Sequence, residues 1–361
     1  HPQMNGQTLK SEIIDGIKYY WVKTPVYNGN SNLGRVYAIL RFQWGLGLLL
    51  NQFNKNYDAV IVSSPHPFQI FQGKHFADKC KAKLVYDIRD LWPLTLRKLA
   101  GMSQTHPFIR ALQYAEKYAL RHADIVTAVP QNSKKYLISK GMAPDCFLAI
   151  GNGHDINTNN QLTNLDQIQE TRLAALKAQG ALLMGYCGTL GFANAMHSAI
   201  KSLSKTSNSD IHLVIVGDGN RKKELSFLAK KLDIQDRVHF FSPISYNQIP
   251  AFLSFMDVAY AGTLYSDLYK YGASLTKIND YMAASKPIIY AVGDPRNPVE
   301  KSGCGISCRA EDSEQIAQAM DKLANMPTEK LKAMGAKGRE WLLENQTIEK
   351  QMDLLLGKLN I

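Results

Sequence analysis

The chain has 361 residues, of which 45% are apolar and 20% charged. Those values fit a folded protein with room for about two domains, and they exclude a disordered chain, a collagen-like repeat and a small disulfide scaffold. Net charge is +11 and sits almost wholly in one half: residues 1–150 hold 19 Lys and Arg against 9 Asp and Glu, the remainder 23 against 22. Such a one-sided basic field points to an anionic partner: phospholipid, nucleic acid or a phosphorylated ligand.

In the first half, Tyr57–Ser63 is a short apolar run ending in a Ser-Pro breaker and predicts a buried strand. A helix follows over 69–81, then a strand at Lys83–Tyr86. Phe108–His122 is helical, with Ile109, Leu112, Ala115, Ala119 and Leu120 on one side. Strands at Asp124–Val129 and Cys146–Ile150 flank a helix over 131–140. Strand and helix alternating at this spacing make right-handed βαβ units with a mostly parallel sheet. Gly151-Asn152-Gly153 and the polar stretch to Asn164 are the best linker candidate.

The second half repeats the alternation. Strands are expected at Leu182–Cys187, His212–Val216, Val238–Phe241, Asp257–Ala261, Pro287–Ala291 and Ile306–Cys308. Helices are expected at Glu170–Gln179, Ile249–Phe255, Thr276–Ala284, Ser313–Ala324, Thr328–Asn345 and Thr347–Leu359. The fold class is therefore α/β, with two tandem Rossmann-like domains over 1–150 and 151–346. No apolar run reaches the 18 residues of a membrane span. The five scattered cysteines argue for a reducing compartment, and Cys304 and Cys308 have no companion His or Cys to complete a metal set. With His1 first and no signal peptide visible, the chain is expected to begin inside a protein.

In such sheets ligands bind beyond the carboxyl ends of the strands, so the strand exits carry the chemistry. Gly217-Asp218-Gly219 is half of a dinucleotide fingerprint, with Lys222 where a third glycine belongs. Arg221, Lys222 and Lys223 open the next helix, against the dipole preference, and read either as ligand contacts or as a solvated face. Gly188–Gly191 is a second glycine turn, able to hold a phosphate through backbone N–H groups. Lys277, close behind the Gly272-Ala273-Ser274 loop, suits an anion site, and Asp280 one turn on suits a sugar or ribose hydroxyl. A plain surface ion pair between the two is the alternative. In the first half, Asp87-Ile88-Arg89-Asp90-Leu91-Trp92-Pro93 crowds two carboxylates and an arginine onto one strand exit. Asp90 is a candidate proton acceptor, and His66 at the neighbouring exit a candidate acid or base. Leu33–Phe53, apolar and aromatic with Arg35 and Arg41 embedded, reads either as a bilayer-surface helix or as core.

Asp87–Pro93 (DIRDLWP), Gly151–Asp155 (GNGHD), Gly188–Gly191 (GTLG), Val216–Gly219 (VGDG) and Ser274–Pro287 (SLTKINDYMAASKP), in that order, resemble the retaining glycosyltransferases of family four, which have the glycosyltransferase-B fold. The resemblance covers residues 55–300. It is greatest to the bacterial O-antigen and capsule branch that handles N-acetylated amino sugars, including the L-fucosamine transferases. It implies two domains facing across a cleft, a UDP-sugar as substrate with no cofactor, and a polyprenyl-diphosphate-linked saccharide as acceptor. It also implies a peripheral place on the inner face of the bacterial cytoplasmic membrane, the first domain meeting the anionic surface. Gly188, Thr189, Leu190, Gly191, Ser274, Leu275, Thr276, Lys277 and Arg221 would meet the diphosphate. Ser242, Pro243 and Ile244 would meet the base and Asp280 the ribose, while Arg89, Asp90 and His66 would face the acceptor. The helix over 347–361 would pack back on the first domain.

Three departures stand out. The first acid of the family's E-x7-E motif falls on Gly272. The usual Arg and Lys after the glycine turn align with Thr189 and the Ala193–Asn194 region. The family's first strand and its glycine-rich loop are expected before residue 1. Retention by same-face attack needs no glycosidase-type carboxylate pair, and with no D-x-D cluster in the sequence metal-independent transfer is expected. Two other readings compete. A sugar-nucleotide epimerase of the same fold would need paired carboxylates that the sequence does not place. A basic nucleic-acid-binding protein would need a recognition pattern, and neither an RNP-like strand nor a helix-turn-helix is visible; no nucleic-acid partner is expected.

Overall fold

The computed structural model of the chain describes residues 4, 6–26, 32–53, 56–64, 66–156, 163–273, 275–295 and 297–361. It divides into two compact units: 1–128 with 133–149 and 356–361, and 129–132 with 150–355.

The first unit opens with a hairpin, β1 (Leu9–Ile14) and β2 (Ile17–Val22), paired antiparallel with Leu9 opposite Val22. Its two-residue Asp15-Gly16 turn is a strong short-range hairpin signal, which the βα reading passed over. Helix Asn32–Leu50 packs on it so closely that a Cβ on Gly45 would stand 2.3 Å from Val22 Cγ1. Four parallel strands follow in simple order: β3 (Ala59–Ser63), β4 (Lys83–Ile88), β5 (Ile125–Ala128) and β6 (Phe147–Ala149). Helix Pro107–His122 buries Ile109, Leu112, Ala115, Ala119 and Leu120, the face its periodicity marked. The helix expected over 131–140 is shorter, Lys134–Ser139, because Val129–Asn132 leaves the strand to join the second unit.

The second unit is a six-stranded parallel sheet: β7 (Leu182–Cys187), β8 (Ile211–Val216), β9 (Val238–Phe241), β10 (Val258–Gly262), β11 (Ile288–Ala291) and β12 (Gly305–Cys308). Their spatial order is β12-β11-β10-β7-β8-β9. The chain winds outward from β7 to β9, then returns beside β7 at β10 and winds the other way. Neighbouring residues along β7 and β8 point into opposite cores. Met184, Tyr186, Leu213 and Ile215 enter one; Leu183, Val214 and Val216 enter the other. Both faces are covered, so the strands read as continuous apolar runs. All five cysteines are free.

The Gly151-Asn152-Gly153 stretch is a packed crossing and not a slack linker. His154 N donates to Gln346 O (2.8 Å), and Ile348 N donates back to His154 O (3.1 Å). Gly151 N donates to the buried Gln351 Oε1 (2.7 Å). A Cβ on Gly153 would stand 2.8 Å from the Ile348 backbone.

Candidate active site

Where β7 and β10 lie side by side, the loops leaving them part in opposite directions. That divergence makes a crevice at the switch point of the sheet. The β7 exit is the Gly188–Gly191 turn. Gly188 has φ 148° and Gly217, at the β8 exit, φ 144°. A Cβ on Gly217 would lie 2.0 Å from Gly188 O, so the two turns meet backbone to backbone and only glycine fits. Gly188 N donates to Val216 O (3.0 Å) and Leu190 N to Asp218 O (2.8 Å). Tyr186 Oη and Asn194 Nδ2 both donate to Thr189 O, each at 2.9 Å. The turn is held from every side.

Lys277 begins helix Lys277–Ala283, which follows β10. Its ammonium lies 4.0 Å from the Tyr186 ring centroid and 3.4 Å from Asn194 Oδ1. A Cβ on Gly188 would stand 3.0 Å from it. Neither a ring face nor an amide oxygen neutralises a cation. Burial lowers its pKa to about 8, against the pull of Cys187 and Asp280. Asp280 takes other partners: Tyr246 Oη donates to its Oδ1 at 3.1 Å, and His154 Nδ1 stands 3.7 Å away. Burial raises its carboxyl to about 6. The fully buried Tyr281 fixes the helix to the strand exit, its hydroxyl accepting from Cys187 N at 3.1 Å.

The structure thus gathers Gly188, Thr189, Leu190, Gly191 and Lys277, with Asp280 one turn on. Leu275 is half-buried and Thr276 exposed, while Ser274 lies outside the described residues. Arg221 N donates to Leu190 O (3.2 Å), but the guanidinium is paired with Glu224 and lies over the Phe192 ring. Ser242 and Pro243 are exposed and Ile244 half-buried; Ser242 O accepts from Gln169 Nε2 (3.3 Å). Gly272 has φ 105°, and its missing Cβ would stand 3.0 Å from Gln131 N. A carboxylate side chain has no room there. Sequence reasoning passed over Tyr246, marked the Ala193–Asn194 region only as lacking the family's cation, and quoted His154 within the Gly151–Asp155 motif without giving it a role.

In the first unit the exits of β3 and β4 are laced together. Asp87 accepts from Ser63 Oγ and Thr127 Oγ1, both at 2.8 Å, a structural role. Ser64 Oγ accepts from Arg89 N (2.8 Å) and Asp90 N (3.4 Å). Arg89 and Asp90 are exposed, and His66 is half-buried two residues beyond Ser64. Burial lowers the His66 pKa, so the ring is neutral at pH 7. On helix Asn32–Leu50, Tyr37, Leu40, Trp44 and Leu48 are exposed while Ala38 and Leu49 are buried. The Arg41 guanidinium lies 4.5 Å from the Trp44 ring centroid; the side chain of Arg35 lies outside the described residues. No helix among the described residues is long and apolar enough to cross a membrane. Among the same residues no group of three or more His, Cys, Asp or Glu could hold a metal ion.

Residues 168–341 match the family model of the glycosyl transferases group 1. A 2-deoxystreptamine glucosyltransferase of Streptomyces kanamyceticus is 21% identical over 256 residues, which span 70% of this chain and 63% of that enzyme. Anabaena Alr3699/HepE, solved with UDP and glucose, has a TM-score of 0.67 at 19% identity, over 91% of this chain and 83% of its own. Sucrose-phosphate synthase of Thermosynechococcus elongatus has a TM-score of 0.71 at 16% identity, over 99% and 85%. These likenesses show the glycosyltransferase-B fold, with two Rossmann-like domains.

Proposed function

We propose that this protein is a retaining glycosyltransferase that moves a sugar from a UDP-sugar to a polyprenyl-diphosphate-linked saccharide. The sugar class is the N-acetylated amino or deoxyamino sugars of bacterial surface polysaccharides. The observation that carries the reading is the Lys277 ammonium, which makes no ion pair among the described residues and stands against a glycine turn on the switch point of a group 1 domain. A diphosphate leaving group develops charge as the glycosidic bond breaks. A fixed cation and preorganised N–H groups stabilise that charge without rearranging. Lys277 thus stands in for the Arg and Lys the family carries after its glycine turn, and Asp280 holds the ribose. Supply of this charge by the protein agrees with metal-independent transfer.

Same-face attack leaves the protein to position two substrates. Residues 151–346 form the donor domain and 1–150 the acceptor domain, where Arg89, Asp90 and neutral His66 meet the incoming hydroxyl. The stripe of Tyr37, Leu40, Trp44 and Leu48, with exposed Ile13 and Ile17 on the hairpin, supports docking of the basic half on an anionic bilayer. That is the inner face of the cytoplasmic membrane, where lipid-linked acceptors are extended.

Calorimetric titration with UDP and GDP tests the donor site. Wild type is expected to bind UDP, and Lys277→Ala to weaken it at least tenfold with unchanged folding. Binding of neither nucleotide by wild type overturns the proposal.

A further inference from the structure

We propose that Asp294 is a positioning residue for the transfer: it fastens the loop that presents Lys277, and so sets the ammonium against the glycine turn. The inference rests on the donor site proposed above and deepens it.

Asp294 follows β11 and is 8% exposed. A carboxylate buried that deeply is costly unless donors meet it, and here they come from separate stretches of the second unit. Ala273 N and Tyr290 Oη both donate to Oδ2, each at 3.1 Å, and Asn132 Nδ2 stands 3.5 Å from Oδ1. Burial raises the carboxyl to about 6, against the bonds from Ala273 and Tyr290 and the charge of Lys301. At pH 7 the group is therefore ionised and only accepts.

Of these donors, the Ala273 amide is the one that lies on the way to Lys277. The chain before it is held by Asn132, whose N donates to Tyr271 O at 2.9 Å. After it, helix Lys277–Ala283 starts at Thr276, whose side chain caps no backbone N–H among the described residues. Ala273 and Leu275 are only half-buried and, with Ile278, border a cavity of about 50 Å³. Packing alone thus leaves the segment room to shift, and the bond at Ala273 N takes up that freedom. A charge misplaced by about an ångström loses much of its effect on a bound group.

The turn that carries Asp294 holds itself. Asp294 N donates to Val292 O at 2.8 Å, and Asn297 Nδ2 donates to Asp294 O at 3.0 Å. Removing the carboxylate therefore releases Ala273 and leaves the turn in place.

Calorimetry with UDP and amide hydrogen exchange, both on the full chain, test this. Asp294→Ala is expected to weaken UDP binding about fivefold or more and to speed exchange over residues 273–279. Asp294→Asn keeps an oxygen able to accept from both Ala273 N and Tyr290 Oη, and is expected to bring both readings back close to wild type. Val299→Ala thins the fully buried core beside the same turn without touching the carboxylate. It is expected to lower stability and leave UDP binding as in wild type, which separates positioning from general loosening. Three results overturn the inference and leave the donor site at Lys277 standing: undiminished UDP binding or unchanged exchange in a folded Asp294→Ala, no rescue by Asp294→Asn, or an equal loss in Val299→Ala. Should Asp294→Ala fail to fold, Asp294→Ser, polar but too short to reach Ala273 N, takes its place with the same expectation. If wild type binds no UDP, both readings fall together.

Discussion

Lys277 sets a pH dependence that can be read directly. A pKa near 8 in the free protein keeps the ammonium charged below that value and neutral above it. UDP affinity is therefore expected to fall as pH rises past 8, toward about tenfold per pH unit. Calorimetry across that range checks it, and Lys277→Arg is expected to remove the dependence. A second titrating pair lies at the amino ends of β8 and β9. His212 Nδ1 and His239 Nε2 are 2.9 Å apart, so one ring donates to the other. Burial, aided by His212 and Arg172, lowers His239 to about 4; burial and Arg237 lower His212. The unfolded chain, with histidines near 6.5, binds protons that the folded pair refuses. Stability is thus whole above pH 6.5 and lost as pH falls toward 4. Both rings are partly exposed, and solvent screening reduces the effect to on the order of 1 kcal/mol. Chemical denaturation of wild type and His239→Gln at pH 7 and pH 5 is expected to show the difference shrinking in the variant.

At the scale of elements, the interlocked turns are the most exacting contact. Gly217→Ala drives a Cβ into Gly188 O and forces a side chain to φ 144°; it is expected to cost about 2–4 kcal/mol and to weaken UDP binding by displacing the Gly188–Gly191 turn. Denaturant melts and calorimetry measure the two effects separately. The sheet strands were legible because a parallel sheet covered on both faces leaves unbroken apolar runs between glycine exits. The hairpin was not, although Asp15-Gly16 announces it, because its residues are mostly exposed and carry no apolar alternation. The site divides the same way. Gly188–Gly191, Lys277 and Asp280 are near each other in motif order and could be found from the sequence. Asn194, His154 and Tyr246 join them only through folding: His154 lies in a quoted motif that gives it no role, the Ala193–Asn194 region stood out only for a missing cation, and nothing local distinguishes Tyr246 from other polar residues.

Across the whole molecule, the excess positive charge lies in the half of the chain that also carries the exposed Tyr37, Leu40, Trp44 and Leu48 of helix Asn32–Leu50. Co-sedimentation with vesicles rich in anionic phospholipid is expected for wild type, weaker in high salt as screening grows. Trp44→Glu with Leu40→Glu is expected to abolish it while UDP binding persists. Vesicle binding that survives both substitutions and high salt would sink the membrane reading.

The crossing at Gly151–Gly153 also has a consequence in time. Gln351, which receives the Gly151 N–H, lies 200 residues further along the chain. At a synthesis rate of about 5–20 residues per second, Gly151 waits roughly 10–40 s for that partner. By the end of that interval the nascent second unit has gained its six strands but not its closing clasp. Its amide groups at the crossing remain open to water, chaperones and proteases until the ribosome delivers the residues that seal them.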